Sequence, residues 1–391
     1  MSKTEWKEYK LGEITDSCLG KMLDAKKNRG IPQPYLANVN VRWGSFDLDD
    51  LPLMRFEESE NERYGLKFGD IVVCEGGEPG RCAIWKDQVP NMKIQKALHR
   101  VRCHENVDYR FLYYYLLWAG KKGLFDQYCT GSTIKHLPGE KLKILPIRMP
   151  PLAEQQRIAK ILSSLDDKIE LNNAINRNLE EHAQAIFKGR FIDFEPFGGE
   201  MPEGWKAGSL SDIADYLNGL AMQKFRPKDD EVGLPVLKIK ELRQGFAGED
   251  AELCSPSIKS EYIVNDGDVI FSWSGSLLVD LWCGGKCGLN QHLFKVTSKH
   301  YDKWFYYMWT KHYLDRFIFL AADKATTMGH IKREELDKAE VCIPSNADYD
   351  KIGRLLEPII ETIIAKKVEN RHLIILRDEL LPKLMSGEIN V

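Results

Sequence analysis

The residues best placed to do chemistry occur in matched sets. Ser132-Thr133 is followed by His136, and Thr326-Thr327 by His330, with the two histidines 194 residues apart. A histidine beside hydroxyls can serve as a general base, but it can equally cap a loop. The rest of the sequence lacks what catalysis would add. Met149-Pro150-Pro151-Leu152 has neither end of the Asp/Asn-Pro-Pro-aromatic motif of amino-group DNA methyltransferases. No Gly-x-Gly-x-x-Gly follows a strand, and Gly120-Lys121 and Gly285-Lys286 lack the spacing and hydroxyl of a phosphate loop. No His-Glu-x-x-His and no nucleophile elbow are present. Cys283 and Cys287 form the one close cysteine pair, and a metal site would need further ligands nearby. The sequence therefore predicts a binding protein without metal or catalytic residues.

Those matched sets belong to a larger duplication. Trp6-Lys7 through Leu11-Gly12-Glu13-Ile14 is echoed by Trp205-Lys206 through Leu210-Ser211-Asp212-Ile213, and Gly69-Asp70-Ile71-Val72 by Gly267-Asp268-Val269-Ile270. Ile147-Arg148-Met149-Pro150 returns as Val341-Cys342-Ile343-Pro344. The period far exceeds the 20–50 residues of a solenoid repeat, so the repeated unit is a whole domain plus a helix. Two similar but non-identical modules suit a two-part target.

The 391 residues, 43% hydrophobic and 29% charged, fit two to three globular domains. The polar start from Met1 to Glu5 and the short apolar runs such as Phe317–Leu320 predict a soluble, cytoplasmic chain with no membrane span. Nine cysteines form no disulfide framework. The net charge of −3 opposes a nucleic-acid partner, whose footprint is basic. Yet charge is unevenly spread along the chain. Residues 45–70 are mostly acidic, whereas 93–102 carry Lys93, Lys96, Arg100 and Arg102 without an acid, and 121–148 are mostly basic. Segregated charge is what one face for a polyanion requires.

Stepping outward, Ile71-Val72-Val73, Ala97–Val101 and Val269-Ile270-Phe271 predict short strands, with loops at Gly76–Gly80 and Ser274–Ser276. Tyr109–Trp118 and Trp304–Tyr313 predict buried aromatic helices. Leu152–Lys188 predicts one long helix whose apolar residues recur every seven. Its seam carries Ile158, Leu162, Leu165, Ile169 and Leu179, interrupted by Asn172 and Asn176. A second helix repeats the seam as Ile352, Leu356, Ile359, Ile363 and Leu373, interrupted by Lys366 and Asn370 at the matching places. Matched seams with matched polar breaks predict that the two helices pair as a coiled coil, in preference to each packing only on its own domain.

Pro150-Pro151-Leu152-Ala153-Glu154-Gln155-Gln156-Arg157-Ile158, leading to Leu165-Asp166-Asp167-Lys168-Ile169, resembles the start of the long helix in specificity subunits of type I restriction–modification enzymes. Arg377–Ile389 resembles the end of the second such helix, and the two Gly-Asp strands also match. The second helix departs from the pattern, opening with Ser345–Asp350 where the first has Glu-Gln-Gln. The resemblance covers the whole chain. It implies a mixed α/β (α+β) fold with an internal two-fold pseudo-repeat, in which two target recognition domains are separated by two long helices forming an antiparallel coiled coil. The boundaries are then 1–150 for the first recognition domain, 151–190 for the first helix and 191–204 for a linker. The second recognition domain takes 205–345 and the second helix 346–391. Each domain is expected to read one half of a bipartite, asymmetric site in double-stranded DNA. The helices would set the spacer and dock two methyltransferase subunits, and two restriction/translocase subunits would complete the complex. The chain itself would be non-catalytic, with S-adenosylmethionine, ATP and Mg2+ held by the partner subunits.

On that reading, polar side chains on loops would meet bases while Lys and Arg meet phosphates. The expected DNA-binding residues are Arg42, Trp43, Lys93, Gln95, Lys96, Ser132, Thr133, Lys135 and His136 in the first module. In the second they are Lys238, Lys240, Arg243, Trp273, Asn290, Gln291, His292, Thr326, Thr327 and Lys332. The alternative is a two-module protein-binding scaffold on a coiled-coil spacer, distinguished by the absence of salt-dependent affinity for duplex DNA. A nuclease using acids such as Glu140 is a further alternative, distinguished by activity of the isolated chain with divalent metal.

Overall fold

The structure is a computed structural model and describes residues 6–24, 28–131, 135–323 and 331–391. It forms two compact units, Met1–Asp167 with Ile375–Val391, and Lys168–Ile374.

The first unit begins with β1 (Lys7–Lys10), α1 (Leu11–Ile14), β2 (Thr15–Leu19), β3 (Ile31–Leu36), β4 (Leu53–Phe56), α2 (Asn61–Tyr64), β5 (Ile71–Cys74), β6 (Cys82–Ile84), β7 (Lys93–Ile94) and β8 (Leu98–Cys103). It continues through α3 (Tyr109–Lys121), α4 (Gly139–Lys143) and β9 (Pro146–Met149) to the long helix α5 (Leu152–Phe187). The second half repeats the plan with β10 (Lys206–Ser209), α6 (Leu210–Ile213), β11 (Asp215–Asn218), β12 (Leu234–Leu237), α7 (Ile239–Gln244), β13 (Leu253–Cys254), β14 (Ile263–Val264), β15 (Val269–Ser272), β16 (Leu278–Leu281), β17 (Cys287–Leu289) and β18 (Leu293–Thr297). Helices α8 (Lys303–His312), α9 (Leu314–Asp323) and α10 (Glu334–Asp337), strand β19 (Glu340–Ile343) and helix α11 (Asn346–Met385) complete it.

The duplication holds strand by strand. The sheet β2-β8-β5-β6 corresponds to β11-β18-β15-β16, the ladder β1-β9 to β10-β19, and β4-β3-β7 to β13-β12-β17-β14. Among the described strands each unit has one parallel ladder, β3 with β7 and β12 with β17, among antiparallel ones. The strand β5 is buried along its whole length because its two faces serve two cores. Ile71 and Val73 pack with Phe111 and Leu112 of α3, whereas Val72 and Cys74 pack with Trp85 and Leu98. Alternation of side chains across a strand separates the two sets. In β15, Phe271 and Ile270 divide the same way.

The Gly-Asp pairs are turn devices. Gly69 and Gly267 have φ of 87° and 83°, a left-handed backbone that glycine adopts without steric cost. The following Asp70 and Asp268 accept the N–H of Lys67 at 2.7 Å and of Asn265 at 2.8 Å. Each carboxylate also meets a cation of the neighbouring strand at 2.8 Å, Arg102 and Lys295 respectively.

The departure at the start of α11 has an internal explanation. Gln155 is buried, its Oε1 accepting the N–H of Asp108 at 3.0 Å while its Nε2 donates to the Pro150 carbonyl at 2.8 Å. At the equivalent place in the second unit, Tyr349 Oη accepts the N–H of Asp302 at 2.7 Å. Different side chains thus tie the start of each long helix to the N-terminus of an aromatic helix, α3 or α8.

The long helices pair as expected, and they also pack into the domain cores, the role the sequence argued against. The N-terminal stretch of α5, with Ile158, Ala159 and Leu162, enters the first core together with Leu381, Leu384 and Met385 from the end of α11. In the second core, Ile352, Leu356, Ile360 and Ile363 of α11 join Ala183, Phe187 and Phe191. Leu179 and Ile359 pack at the edge of that core, and Leu165, Ile169 and Leu373 are half-buried. Between Lys168 and Ile374 the helices run antiparallel. Asn172 Nδ2 donates to Asn370 Oδ1 at 2.8 Å and to Glu369 at 3.0 Å, and earlier on α11 the Ile363 carbonyl accepts from Asn176. Lys366 is half-buried and paired with Glu369 at 2.9 Å. In the other unit, Arg377 reaches Asp166 at 2.7 Å.

After α5 the chain does not loosen at once. A wide helical turn over Lys188–Ile192 buries Phe191, which stacks on Phe187 with centroids 5.0 Å apart. Phe194 and Phe197 then pack edge-on against Trp205. Among the described residues no helix is long and apolar enough to cross a membrane, and the nine cysteines are free thiols.

The Asn172–Asn370 pair gives a test of the seam. Asn172→Leu removes the donor to Asn370 Oδ1 in a buried site and is expected to destabilise the unit by about 1–3 kcal/mol. Asn172→Leu with Asn370→Leu is expected to recover most of that loss, since replacing both partners by apolar groups leaves less unpaired polarity. Denaturant unfolding of the two variants checks the order.

Candidate nucleic-acid interface

In each unit, four segments converge at one end of the four-stranded sheet. In the first, the residues after β2, the β5–β6 turn, the β7–β8 turn and the segment before α4 are joined by backbone hydrogen bonds. Lys21 N–H donates to Ile94 at 3.0 Å, Lys96 N–H to Lys21 at 2.8 Å, Glu75 N–H to Ala97 at 2.8 Å and Leu137 N–H to Glu75 at 2.6 Å. In the second, Leu220 N–H donates to Leu289 at 2.9 Å, Gln291 N–H to Leu220 at 2.9 Å and Ile331 N–H to Trp273 at 3.1 Å. The approach is close. A Cβ on Gly20 would lie 2.4 Å from the Gln95 carbonyl oxygen, and one on Gly219 would lie 2.2 Å from that of Asn290. Only glycine fits at these two places.

On this shared frame the side chains differ. The turn closed by Leu98 N–H to the Gln95 carbonyl carries Lys96 and Ala97, and its counterpart, closed by Leu293 N–H to Asn290, carries Gln291 and His292. Ala97 has φ of 84°, a conformation costly for a residue with a Cβ and characteristic of functional turns. Gln95 is half-buried and Lys96 exposed. His136 is exposed, paired through its backbone with Thr130 at 2.8 Å in both directions, and its ring lies where a Cβ on Gly76 would be. In the second unit, Trp273 Nε1 donates to Asn218 Oδ1 at 3.1 Å and its ring stacks on Phe294 at 5.6 Å. Ser274 Oγ and His292 Nδ1 are 3.0 Å apart. Asn290 is buried, its Oδ1 accepting the His292 N–H at 3.2 Å, so its side chain shapes the turn.

The remaining expected residues are distributed as follows. Arg42 is exposed, bonded to the Val39 carbonyl and paired with Asp47 at 3.2 Å, and Trp43 is half-buried against the first core. Lys135 is exposed and paired with Asp126 at 2.6 Å. Lys238 is bound to Glu252, and Lys240 pairs with Asp250 at 2.6 Å. Arg243 and Lys332 are exposed. Ser132, Thr133, Thr326 and Thr327 lie outside the described residues, as does His330.

The charge segregation seen over 93–102 does not carry over to the surface, whereas Lys121, Lys122, Lys135, Lys141, Lys143 and Arg148 of the second basic stretch are exposed. Lys93 is buried, and that burial lowers its pKa. Arg100 is buried too and donates to the Glu62 carbonyl at 2.7 Å, while Arg102 pairs with Asp70 at 2.8 Å and Glu62 at 3.2 Å. The acidic stretch folds against the basic one, leaving Lys96 as the exposed cation of the four.

Reading the sequence missed Asn38, whose amide donates to the Gly76 carbonyl at 2.7 Å and whose oxygen accepts from Arg81 at 2.6 Å. It also missed Asn218 and Ser274. The signal available was position: Asn38 follows β3, whose end Leu36 accepts the Gln95 N–H at 3.0 Å, just as Leu237 of β12 accepts that of Asn290 at 3.2 Å. Among the described residues no group of three or more His, Cys, Asp or Glu is placed to hold a metal ion.

His99 lies beneath this frame, buried on β8, with Nε2 at 3.0 Å from the Leu137 carbonyl. Desolvation lowers its pKa below the ordinary 6.5, against a smaller opposing effect of that hydrogen bond. The unfolded chain therefore takes up a proton that the folded chain resists, and stability is lost as pH falls through about 6.5. The stability to denaturant, and the protection factors of β8 amides after correction for intrinsic exchange, are expected to fall as pH drops from about 7.5 to 5.5. In His99→Phe, which carries the residue that Phe294 supplies to the second unit, that acid sensitivity should shrink.

The Type I restriction modification DNA specificity domain model matches residues 3–181 and 202–373. The chain is similar to the MjaIX specificity subunit of Methanocaldococcus jannaschii, 29% identical with 100% of this chain and 97% of the relative aligned. It is also similar to the EcoKI specificity subunit of Escherichia coli K12, 26% identical over 91% of this chain and 82% of the relative. Among solved structures, the S subunit of a type I restriction–modification system from M. genitalium superposes with a TM-score of 0.59, covering 98% of this chain and 97% of that one at 16% identity. That likeness bears on the fold.

Proposed function

This chain belongs to the type I restriction modification DNA specificity family, and from that premise we propose that it is the DNA-recognition subunit of a restriction–modification complex. The observation that carries this reading is the pair of equivalent loop clusters, alike in backbone bonding and unlike in exposed polar side chains. Each cluster would read one half of an asymmetric duplex site. The long helices α5 and α11 would fix the spacer between half-sites and dock two methyltransferase subunits, with two restriction/translocase subunits completing the assembly. The chain itself would carry no catalytic group. S-adenosylmethionine, ATP and Mg2+ would belong to the partners.

The contacts divide by chemistry. Side chains of the clusters would meet base edges in the grooves, while Lys96, Arg243 and Lys332 would meet phosphates. Lys93 and Asn290 serve the fold in this arrangement and are removed from the set of direct contacts.

The experiment is an exchange of residues 1–150 for the equivalent region of a relative, followed by mapping of methylated sites in a host carrying the complete system. One half-site should change and the other should persist. A change in both would refute the two-reader assignment.

A second outcome follows for Lys96. Lys96→Ala should weaken binding of the assembled methyltransferase across all sequences and lower the slope of log affinity against log salt by roughly one. Titrations at several salt concentrations measure this directly, and loss of discrimination at one base pair would instead mark Lys96 as a base reader.

A further inference from the structure

The second cluster contains a hydrogen-bond chain with no counterpart among the described residues of the first. Gln291 and His292 are the central residues of the turn from Asn290 to Leu293, held by the backbone bonds already described. Gln291 Nε2 lies 3.4 Å from His292 Nε2, and His292 Nδ1 lies 3.0 Å from Ser274 Oγ. With the amide nitrogen facing the ring, Gln291 is the donor and His292 Nε2 the acceptor, and Nδ1–H then donates to Ser274 Oγ; with the carboxamide oxygen facing it, His292 Nε2–H donates to Gln291 and Ser274 Oγ–H donates to Nδ1. Ser274 is itself buried, its neighbour Trp273 being stacked on Phe294 and bonded to Asn218.

In either arrangement this chain holds one end of the Gln291 amide against His292 and leaves a carboxamide edge outward that presents Oε1 and an N–H side by side. That edge meets no other partner among the described residues, and the side chain is half-exposed. An acceptor next to a donor, in one plane, matches adenine N6–H and N7 in the major groove, where no other single base offers that pair.

We infer that the second unit reads an adenine through Gln291, with Ser274 and His292 as positioning residues that set its amide. This deepens the DNA-recognition reading above and rests on it. The first unit carries Lys96 and Ala97 at the corresponding turn positions, so the device belongs to one half-site only.

The test uses the complete methyltransferase complex containing this chain and a library of duplexes randomised across both half-sites. For wild type, one A·T pair of the second unit's half-site should owe its preference to Gln291. Gln291→Glu keeps the shape but accepts hydrogen bonds on both oxygens, so cytosine, with its N4 donor, should replace adenine there. The adenine preference at that pair should fall by about 10- to 100-fold, with the other pairs unchanged. His292→Phe and Ser274→Ala should each relax the same pair to a smaller degree. A purely structural role for either would lower affinity equally at every pair. Unchanged preference in Gln291→Glu, loss spread evenly over all pairs, or loss at a G·C pair would overturn the assignment. A wild-type complex with no bipartite preference would overturn the DNA-recognition reading itself, and this inference with it.

Discussion

The main hydrophobic core of each unit is closed by residues from both halves of the sequence, and the rest of the structure depends on that closure. The first core needs Leu381, Leu384 and Met385 from the end of α11, and the second needs Ala183, Phe187 and Phe191 from the end of α5 and the turn after it. Burying a Leu, Met or Phe side chain is worth about 1.5–3 kcal/mol, and a domain is stable by only about 5–15 kcal/mol. Removing Leu381, Leu384 and Met385 from the first core, or Phe187 and Phe191 from the second, takes away much of its margin. The strand-rich part of each module is therefore not self-sufficient. Both long helices must be in place before the sheet, and the loops at its end, have a rigid base.

Rigidity at that base matters because the loops are held mainly by backbone bonds. The same N–H and carbonyl groups meet in both units, around Lys96 and Lys21 in one and Gln291 and Leu220 in the other. Gly20 and Gly219 allow the two chains to approach, with no room for a Cβ. A frame built from main chain leaves side chains free to vary. Lys96 can stand where Gln291 does, and His99 where Phe294 does, without changing the strand register. Divergence of specificity on a duplicated scaffold follows directly.

The sequence made the repeat, the buried strands and the heptad seams legible, because each is a periodic burial pattern. Ile71–Val73 and Val269–Phe271 lie in β5 and β15, and the polar breaks at Asn172 and Asn370 face each other. What it hid were pairings between distant segments. Nothing local in Lys93, Arg100 and Arg102 announces that the acidic stretch around Glu62 and Asp70 folds against them. Nor does Gln155 reveal that it faces inward, since a polar residue near a helix start reads as surface until the Asp108 N–H is seen to need an acceptor. Tyr349, an apparent departure from the first helix, meets the same need with a phenol.

The near-neutral balance of the chain acquires a physical meaning here. Most cations near the candidate interface are already paired: Arg42 with Asp47, Lys135 with Asp126, Lys238 with Glu252 and Lys240 with Asp250. Exposed pairs of this kind add little stability, about 0–1 kcal/mol each, so a phosphate could exchange with the carboxylate at low cost. But the carboxylate would remain close by and repel the backbone. An interface so arranged gains less from charge alone than a basic one would. Discrimination must then rest more heavily on direct polar contacts of the type Gln291 offers. A reader with weak general attraction to DNA also spends less time on wrong sequences.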